Sequence, residues 1–223
     1  MQRRPEPELM TDQDQVLAYA EADFSAGDQR LLEQLEPLLI GRSDPWRLVD
    51  LGCGPGNIAL RLAEHWPNAE VIGIDGSAPM LRVARERAQK QDASARFLDG
   101  SLQQLAEETL PPGIAPATAV VSNSLLHHLH DPLNLWRLVR RLAVPGTAIV
   151  HRDLRRPHSE LALDQLQQRY LPTAPECLIA DYRASLRAAF TVEEVEAQLQ
   201  VMGLDQLRVR EEDDRYLSVV GVF

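Results

Sequence analysis

A glycine-rich turn stands at residues 49–57, whose sequence is VDLGCGPGN. Its glycines, Gly52, Gly54 and Gly56, lack a Cβ, so the backbone can bend sharply there and come close to a ligand. Asp50 stands two positions before the first glycine, where its charge would repel a pyrophosphate and suit a ligand that carries positive charge. The residues therefore indicate a binding site for a cationic ligand. A structural turn that binds nothing is the alternative.

The segments on either side of this turn are a predicted strand and a predicted helix. Residues 48–51 form a short apolar run that is typical of a buried parallel strand. Residues 58–66 place apolar side chains on one side of a helix. A strand, a glycine turn and a helix in this order begin a doubly wound α/β domain that binds a nucleotide. The dinucleotide pattern is GxGxxG, however, whereas the spacing here is GxGxG.

The stretch VDLGCGPGN resembles the first motif of the class I S-adenosylmethionine-dependent methyltransferases. Their cofactor carries an ammonium and a sulfonium and no phosphate, which agrees with the charge of Asp50. The resemblance extends from about residue 29 to residue 223, and it implies methyl transfer from S-adenosylmethionine to a small-molecule acceptor. Two other functions stay open. An NAD-binding oxidoreductase is disfavoured by the glycine spacing, and a non-catalytic module that binds S-adenosylmethionine would differ only in turnover.

Acidic residues follow the next two predicted strands. Asp75 ends the strand at residues 70–75, near the offset from Asp50 at which an acidic residue accepts both ribose hydroxyls. In the resemblance Asp99 accepts from the adenine amino group, although Ser101 could cap a helix with Asp99 as part of that cap. The resemblance implies the following cofactor-binding residues: Asp50, Gly52, Cys53, Gly54, Gly56, Asp75, Gly76, Met80, Asp99, Gly100, Ser101 and Asn123.

A cluster of histidines follows the fourth predicted strand, at His127, His128 and His130. Histidine titrates near neutral pH, which suits a general base, and His127 is the predicted catalytic residue. Its alternative is a supporting position behind the substrate. Three ligands packed into four positions at a helix start cannot all converge on one ion, and Asp131 is better explained as the helix cap. No metal is therefore predicted.

Residues 152–190 exceed what a minimal α/β core needs. An insertion beyond the carboxyl end of a strand lies where open α/β sheets bind their ligands, so this segment is predicted to be a substrate lid. It carries Arg152, Arg155, Arg156 and Arg183. Arginine binds carboxylates bidentately, so we expect Arg152 and Arg155 to hold an anionic group of the acceptor. The alternative is that these arginines are solvated charges or helix caps.

The N-terminal part of the chain is predicted to form a helical cap at about residues 11–40. Tyr19 or Phe24, between its two helices, could close over the cofactor, and Tyr19 is the predicted substrate contact. Both could equally be core aromatics. Residues 1–8, with two prolines and alternating charges, are expected to be a frayed tail.

The rest of the pattern predicts a single methyltransferase domain over residues 1–223. Residues 191–194 form a capping box at a helix start, and residues 207–209 and 216–223 are expected to pair as a terminal hairpin. Such a hairpin is characteristic of the class I methyltransferases. The predicted fold is therefore α/β, with a doubly wound, mostly parallel seven-stranded sheet that ends in an antiparallel hairpin.

Composition excludes several kinds of partner. The net charge of −10 opposes binding to nucleic acid or to an anionic membrane. No apolar run approaches the roughly 18 residues of a membrane span. The chain has two cysteines, one of them in the glycine turn, so no disulfide is expected. With no secretory signal recognisable, a cytoplasmic location is expected.

Overall fold

The computed structural model describes residues 1–42 and 45–223 and is built around a seven-stranded sheet. Its strands are β1 (Arg47–Leu51), β2 (Glu70–Asp75), β3 (Ala95–Asp99), β4 (Ala119–Asn123), β5 (Ala148–Leu154), β6 (Arg208–Glu211) and β7 (Tyr216–Val222). Their order in the sheet is β3-β2-β1-β4-β5-β7-β6. Strands β1 to β5 are parallel, and β7 is antiparallel to both neighbours. The predicted fold class is confirmed.

Helices cover both faces of this sheet. They are α1 (Gln13–Glu21), α2 (Ser25–Leu39), α3 (Asn57–His65), α4 (Ala78–Gln91), α5 (Leu102–Glu107), α6 (Leu133–Leu142), α7 (Glu160–Tyr170), α8 (Glu176–Ala188) and α9 (Val192–Val201), with a 3-10 turn at Leu126–His128. Among the helices that the structure describes, none combines the length and apolar character that crossing a lipid bilayer requires.

The apolar core is divided between the two faces of the sheet. On one face, Leu31 and Leu35 of α2 and Leu62 of α3 are fully buried in one cluster. On the other face, Trp136 of α6 is fully buried, and its indole N–H donates to Gln198 of α9 at 2.9 Å. Burial on both faces explains why the parallel strands are almost continuously apolar in sequence.

Strand β5 extends into the segment that the sequence analysis assigns to the lid. The predicted lid begins at residue 152, but the backbone stays paired with β7 as far as Leu154, which lies opposite Tyr216. Arg152 therefore belongs to the sheet and not to the lid. Its polar side chain interrupts the apolar pattern, yet it stays buried because it is paired with Glu212.

Helices α7 and α8 follow β5, at the carboxyl edge of the parallel strands, and lie within the segment predicted to be a lid. Leu163 of α7 and Leu186 of α8 pack with Leu154 in a small core of their own. The hydroxyl of Tyr170, the last residue of α7, donates to Asp214 in the turn between β6 and β7 at 2.6 Å. The helical pair is thus fastened to the terminal hairpin.

The N-terminal segment is fixed in place, and the expectation of a frayed tail is wrong. The Arg3 guanidinium donates to the carbonyl oxygens of Ala188 at 2.6 Å, His127 at 3.1 Å and Leu129 at 2.9 Å. It also lies 4.0 Å from the centre of the Phe190 ring. All four partners lie more than 120 positions away in the chain, so no local sequence pattern could indicate them.

We expect the variant Arg3→Ala to lower the free energy of unfolding by about 2 kcal/mol, because three buried carbonyl oxygens lose a charged donor. Denaturation in urea measures the change. Arg4→Ala is the matched control, since the Arg4 side chain is exposed and its contact with Arg187 is made by the backbone. Equal losses in the two variants would show that the Arg3 contacts do not hold the segment.

Candidate active site

The glycine turn follows β1 in the chain and is hydrogen-bonded to the end of β2. Gly52, Gly54 and Gly56 have φ angles of +66°, +51° and +86°, the left-handed region that favours glycine. The amides of Gly52 and Cys53 both donate to the carbonyl oxygen of Ile74, at 2.8 and 3.0 Å. The turn is therefore held against β2 by its own backbone, and its sharp bend depends on the missing Cβ atoms.

Asp75 is held by the same turn. Its Oδ2 accepts from the amide of Gly54 at 2.8 Å, and its Oδ1 accepts from the amide of Ser77 at 2.7 Å. Burial raises the pKa of Asp75, although the two amides oppose this shift. A carboxylate oxygen can accept more than one hydrogen bond, so each oxygen keeps capacity for a ligand hydroxyl.

Two buried oxygen atoms at this edge have no hydrogen-bond partner among the described residues. One is Oδ2 of Asp50, a residue that is 1% exposed at the end of β1. The other is Oδ1 of Asn123, at the end of β4, whose amide nitrogen donates to Asp28 at 3.3 Å. Burial, and then the charge of Asp75, raise the pKa of Asp50 well above its ordinary value. A ligand with ammonium N–H groups would satisfy oxygens of this kind.

Gly54 has open space beside it, whereas Gly52 is packed against the protein. A Cβ added at Gly54 would meet nothing within 4 Å, whereas one at Gly52 would come within 2.5 Å of the Leu125 side chain. Gly54 therefore faces the open cleft, and Gly52 is needed for packing within the protein.

The remaining residues of the predicted cofactor site differ in their surroundings. Cys53 is buried against β2, where a Cβ at Gly73 would lie 2.9 Å from its sulfur, and burial keeps the pKa of its thiol well above the ordinary value. Met80 is buried in the first turn of α4. Gly76 lies beside Leu9 of the N-terminal segment. Contact of these three residues with the cofactor stays a prediction.

Strand β3 is the outermost strand of the sheet beside β2, and the residues at its carboxyl end are Asp99, Gly100 and Ser101. Asp99 lies opposite Asp75 in the register of β3 and β2, and its side chain is exposed. The amide of Gly100 donates to the carbonyl oxygen of Asp75 at 3.0 Å. Ser101 accepts from the amide of Gln104 at 3.2 Å and so caps α5, which confirms that alternative for Ser101. Contact of Asp99 with adenine stays a prediction.

His127 is buried in the 3-10 turn between two carboxylates. Its Nδ1 is hydrogen-bonded to Asp153 of β5, and its Nε2 lies 3.6 Å from Glu6. Asp153 also accepts the amides of Leu125 at 2.8 Å and Leu126 at 2.5 Å. The sequence analysis missed both carboxylates, because Asp153 was assigned to the lid segment and Glu6 to a frayed tail.

In the His127–Asp153 pair, the pKa of the histidine is raised and the pKa of the aspartate is lowered. Burial alone would lower the pKa of His127, but the charges of Asp153 and Glu6 raise it above its ordinary value. Burial opposes ionisation of Asp153 as well, yet the neighbouring His127 lowers its pKa to about 2. Both ring nitrogens of His127 are directed at carboxylates of the protein itself. The catalytic role of His127 stays a prediction.

Glu6, His127 and His128 form a group that could hold a metal ion. Their ligand atoms all lie within 4.8 Å of one another. In sequence the histidines alone could not converge on an ion, and it is the distant Glu6 that completes the group. The chain's expected lack of a metal stays a prediction.

Tyr19 and Phe24 lie together at the cap, with ring centres 4.8 Å apart. Burial, and then the neighbouring Tyr216 and Asp28, raise the pKa of Tyr19, so its phenol remains neutral. The side chain is thus part of a half-buried aromatic pair. A substrate contact by Tyr19 stays a prediction.

The predicted acceptor-binding arginines already have acidic partners. Arg152 is 2% exposed, its Nε donates to both oxygens of Glu212 at 2.9 and 3.0 Å, and its guanidinium stacks on Tyr216 at 3.5 Å. Arg155 pairs with Glu211 at 2.9 Å. Both form ion pairs within the protein, and any contact of theirs with an acceptor stays a prediction.

The other two arginines of the segment are paired in the same way. Arg156 pairs with Glu194 at 2.6 Å and Arg183 with Asp164 at 2.7 Å. A groove of about 620 Å³ beside α7 is lined by Arg155 and Arg156 and, within the described part of the chain, by none of the expected cofactor ligands. Neither arginine can therefore serve the glycine turn through this groove.

Comparison with known proteins agrees with this geometry. Residues 48–146 match the family model described as a methyltransferase domain. The fold is similar to the crystal structure of a SAM-dependent methyltransferase from Aquifex aeolicus, with a TM-score of 0.67 at 16% identity, over 95% of this chain and 98% of that one. Residues 48–146 are therefore a methyltransferase domain, and the fold is that of a SAM-dependent methyltransferase. The match to a methyltransferase domain disfavours the alternative of an NAD-binding oxidoreductase.

The chain is similar in sequence to two curated trans-aconitate 2-methyltransferases. A trans-aconitate 2-methyltransferase of Rhodopseudomonas palustris (strain HaA2) is 39% identical over 107 residues, which are 48% of this chain and 38% of that protein. A trans-aconitate 2-methyltransferase of Afipia carboxidovorans is 56% identical over 112 residues, 50% of this chain and 40% of that protein. The matches thus span less than half the length of these relatives.

The fold is also similar to that of the plantazolicin methyltransferase BpumL, solved with a desmethylPZN analog and SAH. The TM-score is 0.69 at 13% identity, and the match covers 94% of this chain and 90% of that one. At this identity the similarity concerns the fold. It supports the same arrangement of the sheet and its helices.

We expect Gly54→Val to weaken binding of S-adenosylmethionine by at least about tenfold, because the side chain would enter the open cleft. Gly41→Val is the matched control, since Gly41 also has a positive φ, +78°, and no atom within 4 Å of an added Cβ. Both variants bear a backbone strain of about 1–2 kcal/mol. Calorimetry measures the affinities, and equal affinities in the two variants would remove Gly54 from the ligand site.

We expect Asp153→Asn to lower the free energy of unfolding by about 3 kcal/mol, because it leaves a buried histidine without its carboxylate. The lowered pKa of Asp153 makes its contribution complete above about pH 4 and lost as pH falls towards 2. The raised pKa of His127 makes its contribution complete below about pH 6.5 and lost at higher pH.

The loss should therefore be largest between about pH 4 and 6.5 in urea denaturation. Asp164→Asn serves as the control, because that carboxylate forms a partly exposed ion pair with Arg183. A loss for Asp153→Asn that is the same at pH 5 and at pH 9 would contradict the assigned charge pair.

Proposed function

We propose that this protein transfers the methyl group of S-adenosylmethionine to a carboxylate of a small anionic acceptor. The observation that carries the proposal is the pair of buried, unpartnered oxygens of Asp50 and Asn123 beside the open approach at Gly54. They flank the glycine turn of a methyltransferase domain. A cationic ligand at this place satisfies both oxygens and needs no phosphate site.

S-adenosylmethionine supplies a methyl group on a positively charged sulfur. The chain's part is to bind and orient. Asp75 offers one oxygen to each of two vicinal hydroxyls while the amides of Gly54 and Ser77 fix its carboxylate plane. Asp50 receives the positive end of the ligand. Holding the donor in one orientation is the main contribution a protein can make to an in-line displacement.

A carboxylate acceptor agrees with the electrostatics around His127. A free carboxylic acid is ionised at neutral pH, so its oxygen attacks without losing a proton. No general base is then required. His127, with both ring nitrogens directed at carboxylates, is then free to hold Asp153 in place and is not needed as a base.

The names of the curated relatives support the same class of acceptor. Both are trans-aconitate 2-methyltransferases, and trans-aconitate carries three carboxylates. We propose a di- or tricarboxylate of this kind as the acceptor. The α7–α8 segment and Tyr19 would cover it, because a carboxylate reacts faster once water is removed from its oxygen.

The test has two arms. S-adenosylhomocysteine release is measured with trans-aconitate, citrate and a neutral amide analogue as acceptors, and we expect turnover with a polycarboxylate. Binding of S-adenosylmethionine is measured by calorimetry for the wild type and Asp75→Ala, where a loss of about 1–3 kcal/mol is expected because two hydroxyls lose their acceptor.

Asp205→Ala is the control for the binding arm, because Asp205 is exposed in the loop before β6. If Asp75→Ala binds S-adenosylmethionine as tightly as the wild type, the assignment of Asp75 to the cofactor site is wrong. Cofactor binding without turnover of any acceptor would instead favour the non-catalytic module that the sequence left open.

A further inference from the structure

Arg215 lies in the turn between β6 and β7, facing the two helices that follow β5. Its guanidinium carbon is 3.5 Å from the centre of the Tyr170 ring and 5.0 Å from that of Tyr216. Tyr182 of α8 lies close enough for its hydroxyl to affect the charge of Arg215. We call these four residues, Arg215, Tyr170, Tyr182 and Tyr216, the tyrosine cage.

Arg215 differs from the arginines near it in having no acidic partner among the described residues. The other arginines near it pair with carboxylates, Arg152 with Glu212 and Arg169 with Asp214. Arg215 takes part in no ion pair among the described residues, although the turn around it is strongly acidic. A half-buried cation without an anion is costly, so such a group calls for a ligand of opposite charge.

Two donors of the cage are buried and unsatisfied. Apart from the contact of these two side chains with each other, Nε of Arg215 and the hydroxyl of Tyr182 have no hydrogen-bond partner within the described chain. Burial raises the pKa of Tyr182 to about 12, so its hydroxyl keeps its proton and can donate. A guanidinium stacked on a ring leaves its in-plane N–H groups free, and these match the two oxygens of a carboxylate.

The cage is connected to the cofactor edge through a shared ring. Tyr216 is stacked on its other neighbour, Arg152, at 3.5 Å. Arg152 lies opposite Asn123 in the register of β5 and β4. Tyr216 lies opposite Leu154, at the carboxyl end of β5. An acceptor held by Arg215 would therefore lie at the same edge of the sheet as the ligand bound at the glycine turn.

We propose that Arg215 and Tyr182 bind a carboxylate of the acceptor that is remote from the carboxylate being methylated. The inference rests on the proposed function and adds the residues that select the substrate. The acceptor must then carry at least two carboxylates. One is anchored in the cage, and an oxygen of the other attacks the methyl group.

The step balances without another reactant. A new carbon–oxygen bond forms between the attacking carboxylate and the methyl group as the carbon–sulfur bond breaks. The electron pair of that bond stays on sulfur, which leaves as the neutral thioether of S-adenosylhomocysteine. The product is a methyl ester, no proton moves, and the anchored carboxylate keeps its charge.

The experiment measures binding of trans-aconitate by calorimetry to the protein saturated with S-adenosylhomocysteine. We expect Arg215→Gln to weaken this binding by at least about tenfold and Tyr182→Phe by about threefold, because each removes a donor to the anchored carboxylate. Affinity for S-adenosylmethionine should stay within about twofold in both variants, since neither touches the cofactor edge.

Arg208→Gln is the matched control. Arg208 is an exposed arginine at the opposite end of the same hairpin, in register with Val220, and its replacement should leave both affinities unchanged. Arg215→Lys keeps the charge and loses the planar fork, so it should bind trans-aconitate less tightly than the wild type. That variant and Tyr182→Phe keep the proposal testable if Arg215→Gln fails to fold.

The outcomes separate the inference from the function on which it rests. Equal trans-aconitate affinity in Arg215→Gln and the wild type overturns the cage, and so does a wild type that binds no trans-aconitate. Turnover with another acceptor would then leave the proposed function intact. Arg215-dependent binding of trans-aconitate in a protein that does not bind S-adenosylmethionine supports the cage and overturns the proposed function.

Discussion

The Asp153 carboxylate fixes the backbone that follows β4, and the geometry of the cleft depends on that backbone. It accepts two consecutive amides, those of Leu125 and Leu126, together with the ring of His127. The Leu125 side chain is thereby set against Gly52 in the glycine turn. One buried carboxylate on β5 thus links the turn after β4 to the turn after β1, which are neighbours at the sheet edge. A small displacement of it would move both sides of the cofactor cleft.

The parallel half of the fold was predictable because its elements are specified locally. Residues 70–75 were predicted as a strand, and β2 has the same limits. The capping box at residues 191–194 starts α9 as expected. Strand β5 was predicted too short because Arg152 and Asp153 look like loop residues until their partners are known. Those partners, Glu212 and His127, lie on other elements, and only the folded chain brings them together.

The residues of the candidate site also fall into those that a local pattern specifies and those whose partners are distant in the chain. Asp50, the glycines and Asp75 were found because a strand, a turn and a strand end carry a recognisable spacing. Glu6 was missed because its partner His127 lies 121 positions away in the chain. Arg215 was missed for a different reason. It stands in an acidic hairpin turn, where a lone arginine resembles a solvated charge, and only the arrangement of three aromatic rings around it distinguishes it.

The backbone of the turn that carries Arg215 is held by the Asp213 side chain and by Arg155. Asp213 accepts the amides of Arg215 at 2.9 Å and Tyr216 at 2.8 Å, and the carbonyl oxygen of Arg215 accepts from Arg155 at 2.7 Å. The conformational entropy of this arginine is therefore largely lost when the chain folds and not when a ligand arrives. An anion that meets such a preorganised cation gains affinity for little further ordering. Discrimination between acceptors would then depend on their shape, because a rigid fork cannot follow a carboxylate that is placed differently.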